Sequence, residues 1–210
     1  MHAIPLVTIP CSGTHFMAAF FEEFNIVRHT TDWETIARVG GQVLLDPRAA
    51  TLIRGDISRN TMPYITAYAE HWTPIVSMLE PLRQMISHKN VNENDPIIAD
   101  YLLPLWKLLI NEVHPTHPHY VPLDLLRDVD ERPRSLREVG YAAGLGGVPE
   151  FPDVVRRWSE EWPKDKYNAQ KPYPLKVAYM NRDRPYIKRE LGPDWEALVA
   201  AEDWLRPFLT

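Results

Sequence analysis

The sequence predicts an α/β fold in which helices cover both faces of a central parallel sheet. Short apolar runs rich in β-branched residues, typical of buried strands, alternate with longer stretches of helical spacing. The first run, residues 4–9, leads through a glycine-containing loop directly into a helical stretch, an order with which nucleotide-binding α/β domains begin. A chain of 210 residues without a linker-like segment predicts one domain, with residues 148–210 as a helical extension or lid.

The predicted elements follow one another along the whole chain. After the strand at 4–9 and the helix at 15–24, further strands are predicted at 51–54, 73–79 and 119–123. Further helices are predicted at 61–72, 81–88, 96–113, 133–143, 154–162 and 193–209. The apolar positions predicted for the last helix are Trp195, Leu198, Val199, Trp204 and Leu205.

Composition and charge narrow the class of protein. The chain has 23 Lys and Arg against 28 Asp and Glu, a formal net charge of −5, which excludes non-specific attraction to nucleic acid as its main activity but allows a local basic groove. The single cysteine, Cys11, excludes an internal disulfide. The amino terminus has no signal-peptide pattern, and no apolar run approaches the roughly 20 residues of a membrane span. We therefore expect a soluble, cytoplasmic protein without a membrane partner.

The loop Pro10-Cys11-Ser12-Gly13-Thr14, followed by His15, is the first candidate site. Backbone amides at a helix start form an anion site, and glycine permits close approach by a phosphate. Ser12 or Thr14 could add a hydroxyl ligand for phosphate or Mg²⁺. The alternative is a plain strand-to-helix turn that Ser12 or Thr14 caps. Thr14 stands where a Walker loop has its lysine.

This loop, with Phe16, resembles the Pro-Lys-Ser-Gly-Thr-x-Trp loop of the sulfotransferase family, which shares its fold with the P-loop nucleotide kinases. Leu79-Glu80-Pro81 with Ser87 is similar to the family's Arg-(Asp/Asn)-Pro motif and its serine, which bind the donor's 3′-phosphate. The segments 119–126, 136–140 and 144–145 are similar to the family's late strand, turn and helix. The resemblance implies a three-layer P-loop nucleotide-kinase/sulfotransferase-like fold.

Two departures from the family motifs affect the donor. Cys11 replaces the loop lysine, and Leu79 replaces the arginine of the 3′-phosphate site, so two charge-assisted contacts are missing. Arg83, one helical turn away, could substitute for the second. A donor without a 3′-phosphate, ATP or GTP with Mg²⁺, therefore fits better than the sulfuryl donor. The predicted phosphate- and nucleotide-binding residues are Cys11, Ser12, Gly13, Thr14, His15, Arg83, Ser87, Arg182 and Arg184.

The segment Arg54-Gly55-Asp56-Ile57-Ser58-Arg59 follows a predicted strand, at the sheet edge where open α/β folds bind ligands. A carboxylate there, Asp56, is our candidate base for phosphoryl transfer to a hydroxyl. Arg54 is assigned to the phosphoryl group and Arg59 to the acceptor. The alternative is an ordinary turn at Gly55 and Asp56 with a surface arginine.

The carboxyl-terminal third carries the densest positive charge. The stretch 182–189 holds four cations and one anion, and it predicts either a lid that supplies Arg182, Arg184 or Arg189 to the phosphoryl group or a solvated helix face. Nearby aromatic residues could stack on the bases of a nucleic-acid acceptor or pack in the core. They are Trp158, Trp162, Tyr167, Tyr173, Tyr179 and Tyr186.

Three histidines lie close together at His114, His117 and His119. With no cysteine nearby and two intervening prolines, they favour a solvated loop, and no metal site is predicted from side-chain clusters.

The sequence therefore predicts a P-loop kinase-like transferase that passes a phosphoryl group from ATP or GTP to an acceptor hydroxyl. In overall likeness, without a specific shared motif, the chain resembles the bacteriophage kinases that phosphorylate 5-hydroxymethyluridine in DNA, which implies hydroxymethyluracil-containing DNA as acceptor. Two alternatives stay open: a sulfotransferase with a remodelled donor site, and a P-loop domain that binds a nucleotide or a partner without chemistry.

Overall fold

Five parallel strands form the centre of the computed structural model, which describes residues 2–41, 48–91, 98–161 and 174–208. The strands are β1 (His2–Val7), β2 (Val27–Asp32), β3 (Ala50–Arg54), β4 (Ile75–Met78) and β5 (His119–Pro122). Their order across the sheet is β2-β3-β1-β4-β5. Every pairing is parallel, so the predicted α/β class with a central parallel sheet is confirmed.

Helices connect the strands and cover both faces of the sheet. They are α1 (Thr14–Glu22), α2 (Trp33–Arg38), α3 (Met62–Ala69), α4 (Pro81–Val91), α5 (Ile98–Leu108), α6 (Leu123–Arg127), α7 (Arg132–Ala142), α8 (Phe151–Glu160), α9 (Pro174–Met180), α10 (Arg184–Leu191) and α11 (Asp194–Leu205).

Alternating side chains of β1 divide the core into two layers. Ile4 and Leu6 join a cluster with Phe20 and Phe21 of α1 and with apolar residues of α6, α7 and α8. Ala3 and Val7 point to the opposite face, where they join the buried residues of α2 to α5 and α9 to α11. A strand buried on both faces reads as a continuous apolar run, which is why β1 could be found in the sequence.

The pattern missed two elements between α1 and β3. Strand β2 has the sequence Val-Arg-His-Thr-Thr-Asp and lies at the sheet edge, mostly exposed, so it lacks the apolar run of a central strand. Helix α2, with six residues, is too short to show a period, although Trp33 and Ile36 are buried. The parallel pairing with β3 holds β2 in the sheet, although the sequence of β2 lacks the apolar residues of a central strand.

Two helix predictions need correction. The helix predicted to run to Val113 ends at Leu108, and residues Leu109–Val113 form a wider π-type turn. In α11 the prediction for Val199 was wrong: this side chain is exposed, whereas Ala201 is buried together with Leu198 and Leu205. Of the aromatic residues in the proline-rich region, Trp162, Tyr167 and Tyr173 lie outside the described residues.

The course of the chain leaves a crevice at the carboxyl end of β1. From β1 the chain crosses to β2 through α1 on one face, whereas from β3 it crosses over β1 to β4 through α3 on the other face. Connections that leave neighbouring strands in opposite directions open a gap in which α/β proteins bind ligands.

Within the described ranges, no helix is both long and apolar enough to cross a membrane.

Candidate functional site

The loop between β1 and α1 has left-handed backbone angles that favour glycine. Side chains of β4 and α4 donate hydrogen bonds to its carbonyl groups. Cys11 and Gly13 have φ values of 64° and 84°, in the left-handed region. A Cβ atom on Gly13 would overlap the end of the Leu123 side chain, so a larger residue here would require that side chain to move. The Ser77 hydroxyl donates to the Ser12 carbonyl, and Gln84 Nε2 donates to the Pro10 carbonyl at 2.9 Å. The loop is therefore a fixed structure.

Helix α1 begins without a side-chain cap, which rules out the simple capping role considered for Ser12 and Thr14. Gly13 is the N-cap residue and makes no side-chain capping bond. The Ser12 side chain is buried, and its hydroxyl accepts from the Ile9 amide at 3.2 Å. The Thr14 hydroxyl donates instead to Thr8 Oγ1 at 2.9 Å. The first-turn amides of a helix have no intrahelical acceptor, so without a cap they can bind an anion.

A chain of hydroxyl groups joins the start of α1 to Asp56. Thr8 accepts from Thr14, and its own hydroxyl donates to Asp56 Oδ1 at 2.8 Å. The backbones also pair, because the Thr8 amide donates to the Gly55 carbonyl and the Ile57 amide to the Thr8 carbonyl. Asp56 is the second residue after β3, and it is therefore held against Thr8, the first residue after β1.

The surroundings of Asp56 raise the pKa of its carboxyl group above the ordinary value. Desolvation by the surrounding protein is the largest cause, although one side of the residue is open to solvent. The Thr8 hydrogen bond and the charges of His15 and His88 oppose the shift, whereas the Glu34 carboxylate adds to it. A carboxylate of raised pKa takes a proton more readily than one in free solution, as a general base requires.

Asp56 faces a cavity of about 330 Å³ at the start of α1. Its lining residues come from α1, β2 and the end of β3; they are Thr14, His15, Thr30, Thr31, Asp32, Arg54, Gly55 and Asp56. The half-buried Arg54 side chain has no hydrogen bond or ion pair with any described residue. The structure thus brings together the loop end, the candidate base and one cation, as the sequence predicts.

A second and larger cavity, of about 940 Å³, lies between α2 and α3. Arg59, predicted to contact the acceptor, is part of its lining. Asp32 lines both cavities, so the two share a wall.

Cys11 has a thiol that stays protonated near neutral pH. Burial, with a further contribution from the charge of Asp56, raises the pKa of Cys11 to about 11. A neutral thiol can neither neutralise a phosphate nor act as a ready nucleophile.

Arg83 and Ser87 lie on α4, on the other side of the loop. Arg83 forms an ion pair with Asp124, which follows the Leu123 side chain that packs at Gly13. Its guanidinium also lies 6.0 Å from the ring centre of Tyr179, whose hydroxyl donates to Glu80. Burial lowers the pKa of Arg83, opposed by Tyr179 and Glu80. The half-buried Ser87 lines neither of the two cavities.

The basic carboxyl-terminal stretch forms an exposed helix. Asp183 caps α10 by accepting from the Tyr186 amide at 3.1 Å, and Ile187 and Leu191 anchor the helix in the core. Arg182 and Arg184 are exposed and line neither cavity. Arg189 stacks over Tyr186 at 4.9 Å and pairs with Glu190. The structure does not bring these cations to Asp56.

Sequence reasoning missed Thr8, Asp32 and Glu34. Thr8 is buried and directly follows β1. The signal in the sequence that could have marked it is a polar residue at the end of an apolar run. Asp32 and Glu34 belong to β2 and α2, the two elements that the hydrophobic pattern did not show. No signal in the sequence relates them to Asp56 until β2 is paired with β3.

Among residues 2–41, 48–91, 98–161 and 174–208, no three His, Cys, Asp or Glu side chains are grouped so as to hold a metal ion. The imidazoles of His114 and His117 are exposed, and His119 begins β5.

Comparison with known proteins gives no match to a family model, to a curated protein or to a solved structure.

Proposed function

We propose that the protein is a phosphotransferase that passes the γ-phosphoryl group of ATP or GTP to an acceptor hydroxyl. The observation that carries this proposal is the hydrogen-bonded series Thr14–Thr8–Asp56. It joins an uncapped helix start, which suits a phosphate, to a carboxylate of raised pKa, which suits a general base. Both ends of the series face the same cavity of about 330 Å³.

The donor phosphates are assigned to the first turn of α1. The amides there supply partial positive charge, and Arg54 on the cavity wall supplies a full charge in place of the missing loop lysine. Mg²⁺ accompanies the nucleotide, and Thr14 is the hydroxyl available to it, because the Ser12 hydroxyl is buried and already accepts from Ile9.

Asp56 has the role of the base in the transfer step. The acceptor oxygen forms a bond to the γ-phosphorus while the bond from that phosphorus to the bridging oxygen of the nucleoside diphosphate breaks. Asp56 takes the proton of the acceptor hydroxyl, and the nucleoside diphosphate leaves with the electron pair of the broken bond. Arg54 neutralises the charge that develops on the transferring group. As acceptor we propose a hydroxymethylated pyrimidine in DNA, on the basis of the overall likeness to the bacteriophage kinases.

Asp56→Asn tests the assigned base. We expect the transfer of label from γ-labelled ATP or GTP to an oligonucleotide containing 5-hydroxymethyluracil to fall about 10²- to 10⁴-fold. Stabilisation against heat by the nucleotide should remain, because Asn still accepts the bond from Thr8. Asp130→Asn is the matched control, since Asp130 lies exposed in the turn before α7, and it should transfer label at the wild-type rate. Full activity of the Asp56 variant would remove the proposed base.

A second candidate function is nucleotide binding without chemistry, favoured by the neutral thiol of Cys11 at the place of the family's lysine. Thermal unfolding with ATP, GTP and 3′-phosphoadenosine 5′-phosphate separates the candidates. Stabilisation by ATP or GTP with label transfer supports the kinase, and stabilisation without transfer to any hydroxylated acceptor supports the binding domain. Stabilisation by 3′-phosphoadenosine 5′-phosphate alone would indicate the sulfotransferase.

A further inference from the structure

The cavity between α2 and α3 is large enough for a ligand of its own. Its volume of about 940 Å³ lies at the upper end of the range for small-molecule sites. Its lining combines arginine, aromatic, amide and hydroxyl groups: Arg38, Arg59, Asn60, Tyr64, Ser58 and Thr61. The sequence analysis had singled out Arg59 alone from this group.

Two cations on the cavity wall have no partner in the part of the chain that the structure describes. Arg38 lies in the last turn of α2, and Arg59 lies in the segment between β3 and α3. Both are exposed, and neither guanidinium has a hydrogen bond or ion pair with any described residue. Nearby hydroxyl groups are occupied, since Ser58 and Thr61 bond to each other at the start of α3. The two guanidinium groups are therefore charged donors available to a ligand, and their planar fork suits the oxygens of a phosphate ester or a carboxylate.

The cavity also has an aromatic wall. Tyr64 lies half-buried on α3, and its hydroxyl donates to the Ala37 carbonyl of α2 at 3.4 Å. The bond fixes the ring between the two helices that form the cavity. A fixed ring next to Asn60 offers both a flat apolar surface and an amide for a heterocyclic base.

Two carboxylates of the cavity lining, Asp32 and Glu34, relate this cavity to the candidate base Asp56: Asp32 lines both cavities, and the charge of Glu34 acts on Asp56. Asp32 lines both cavities, and one of its oxygens accepts from the Thr35 amide at 2.6 Å. Glu34, also in the lining, is close enough to Asp56 for its charge to act on that carboxyl group. Asp32 and Glu34 thus supply the negative charge of the lining and Arg38 and Arg59 the positive charge, so an anionic group would bind at the arginines.

We infer that this cavity binds the acceptor as a nucleotide, with its phosphate at Arg38 and Arg59, its base beside Tyr64 and its free hydroxyl at Asp32, which also lines the cavity that Asp56 faces. This assignment rests on the proposed phosphotransferase function and adds to it the residues that hold the acceptor nucleotide. The phosphate can belong to a free mononucleotide or to a strand of nucleic acid, because the guanidinium groups recognise the same ester in both.

Binding measurements without the donor test this assignment separately from catalysis. Calorimetric titrations would use 5-hydroxymethyl-2′-deoxyuridine 5′-monophosphate, its nucleoside, and a single strand of about ten nucleotides containing the same base. We expect a phosphate-bearing probe to bind about 10-fold or more tightly than the nucleoside. Arg38→Ala and Arg59→Ala should each weaken that binding about 10-fold. Whether the mononucleotide or the strand binds more tightly identifies the source of the phosphate.

Arg137→Ala is the control, since Arg137 is an exposed arginine of α7, on the opposite face of the sheet. It should bind the probes as the wild type does. Equal affinity for nucleotide and nucleoside, or wild-type affinity in both cavity variants, would overturn the assignment even if ATP still stabilises the protein. Arginine-dependent binding of the probes in a protein that transfers no label would support the cavity as a nucleotide site and contradict the phosphotransferase function alone.

Discussion

The two halves of the carboxyl edge of the sheet use their polar side chains differently. In the half formed by β4 and β5, here called the closed half, Ser77 and Gln84 bond to the loop, and Arg83 pairs with Asp124. In the half formed by β1, β3 and β2, here called the open half, Arg54 and Asp56 face a cavity. Both halves are rich in polar groups, but the arginine of the closed half is paired, whereas Arg54 of the open half has no hydrogen bond or ion pair with a described residue.

The difference separates polar groups that bond within the fold from polar groups that face a cavity. In the closed half Gln84 accepts from the Trp106 indole at 2.9 Å while it donates to Pro10, so both functions of its amide are used. A buried polar group that is fully bonded stabilises the position of its neighbours. In the open half, a cation without a partner among the described residues and a partly desolvated carboxylate lie on one cavity, an arrangement that a charged ligand would stabilise.

The largest effect is expected at Gly13, where the loop of the open half contacts Leu123 of the closed half. Gly13→Ala must place a Cβ at a φ of 84° and against the Leu123 side chain. Left-handed strain and overpacking together should lower the free energy of unfolding by about 3 kcal/mol. Urea denaturation measures this loss.

Gly40→Ala is the matched control for the backbone term. Gly40 has a φ of 69°, but a Cβ there would have no described neighbour within 4 Å. The control should lose only about 1 kcal/mol. An equal loss in both variants would mean that the packing of the closed half against the loop contributes nothing.

A smaller effect is expected when one arginine is removed from each half. The two substitutions should have contrasting effects on stability and on nucleotide binding. Arg83→Met leaves Asp124 without its partner and should cost about 1–2 kcal/mol of stability with little effect on nucleotide binding. Arg54→Met should change stability by less than about 0.5 kcal/mol, because Arg54 has no partner among the described residues, but should weaken nucleotide binding about 10-fold. Urea denaturation and nucleotide titration on both variants give the four values; a reversed pattern would contradict the division into halves.

The smallest effect is a pH-dependent stability difference at Asp56. Because its pKa is raised in the folded state, that state binds the proton more tightly than the unfolded chain does. The wild type therefore loses stability as pH rises from the ordinary value of 3.8 through the raised pKa, and a neutral Asn does not. Asp56→Asn should melt higher than the wild type at pH 7, by no more than about 2 °C, and the difference should disappear below about pH 4.

Differential scanning calorimetry at the two pH values tests the sign. A wild type that melts above the variant at pH 7 would indicate that the bond from Thr8 and the nearby histidines outweigh desolvation. Asp130→Asn, at an exposed position, should leave the melting temperature unchanged at both pH values.

Local patterns predicted much of the fold, and the reasons are visible in particular elements. Strand β1 is buried on both faces, so its residues form a continuous apolar run. Helix α7 was predicted over 133–143, and it ends at Ala142, two residues before Gly144, which has a φ of 71°. The edge strand β2 gave no such signal, because its pairing with β3 and not its own apolar content holds it in place.

The candidate site was predictable only where it follows the strand ends. Asp56 comes two residues after β3, and the loop 10–14 comes after β1, so the parallel sheet was expected to bring them to the same edge. Arg83 was assigned to a phosphate from its sequence position, but Asp124, more than 40 residues later, pairs with it. No local pattern could show that partner, because the contact depends on β4 pairing with β5.

The sequence by itself determined the α/β class, the glycine-containing loop after the first strand, and the position of Asp56 just beyond a strand end. Each of these depends on neighbours within a few residues, where apolar period and backbone preference act. The tertiary structure decided the strand order, the bond from Thr8 to Asp56, and which arginines have partners. Hydrogen bonds and ion pairs between residues distant in sequence form only when the sheet aligns them, so free and paired cations look alike in the sequence and differ in the fold.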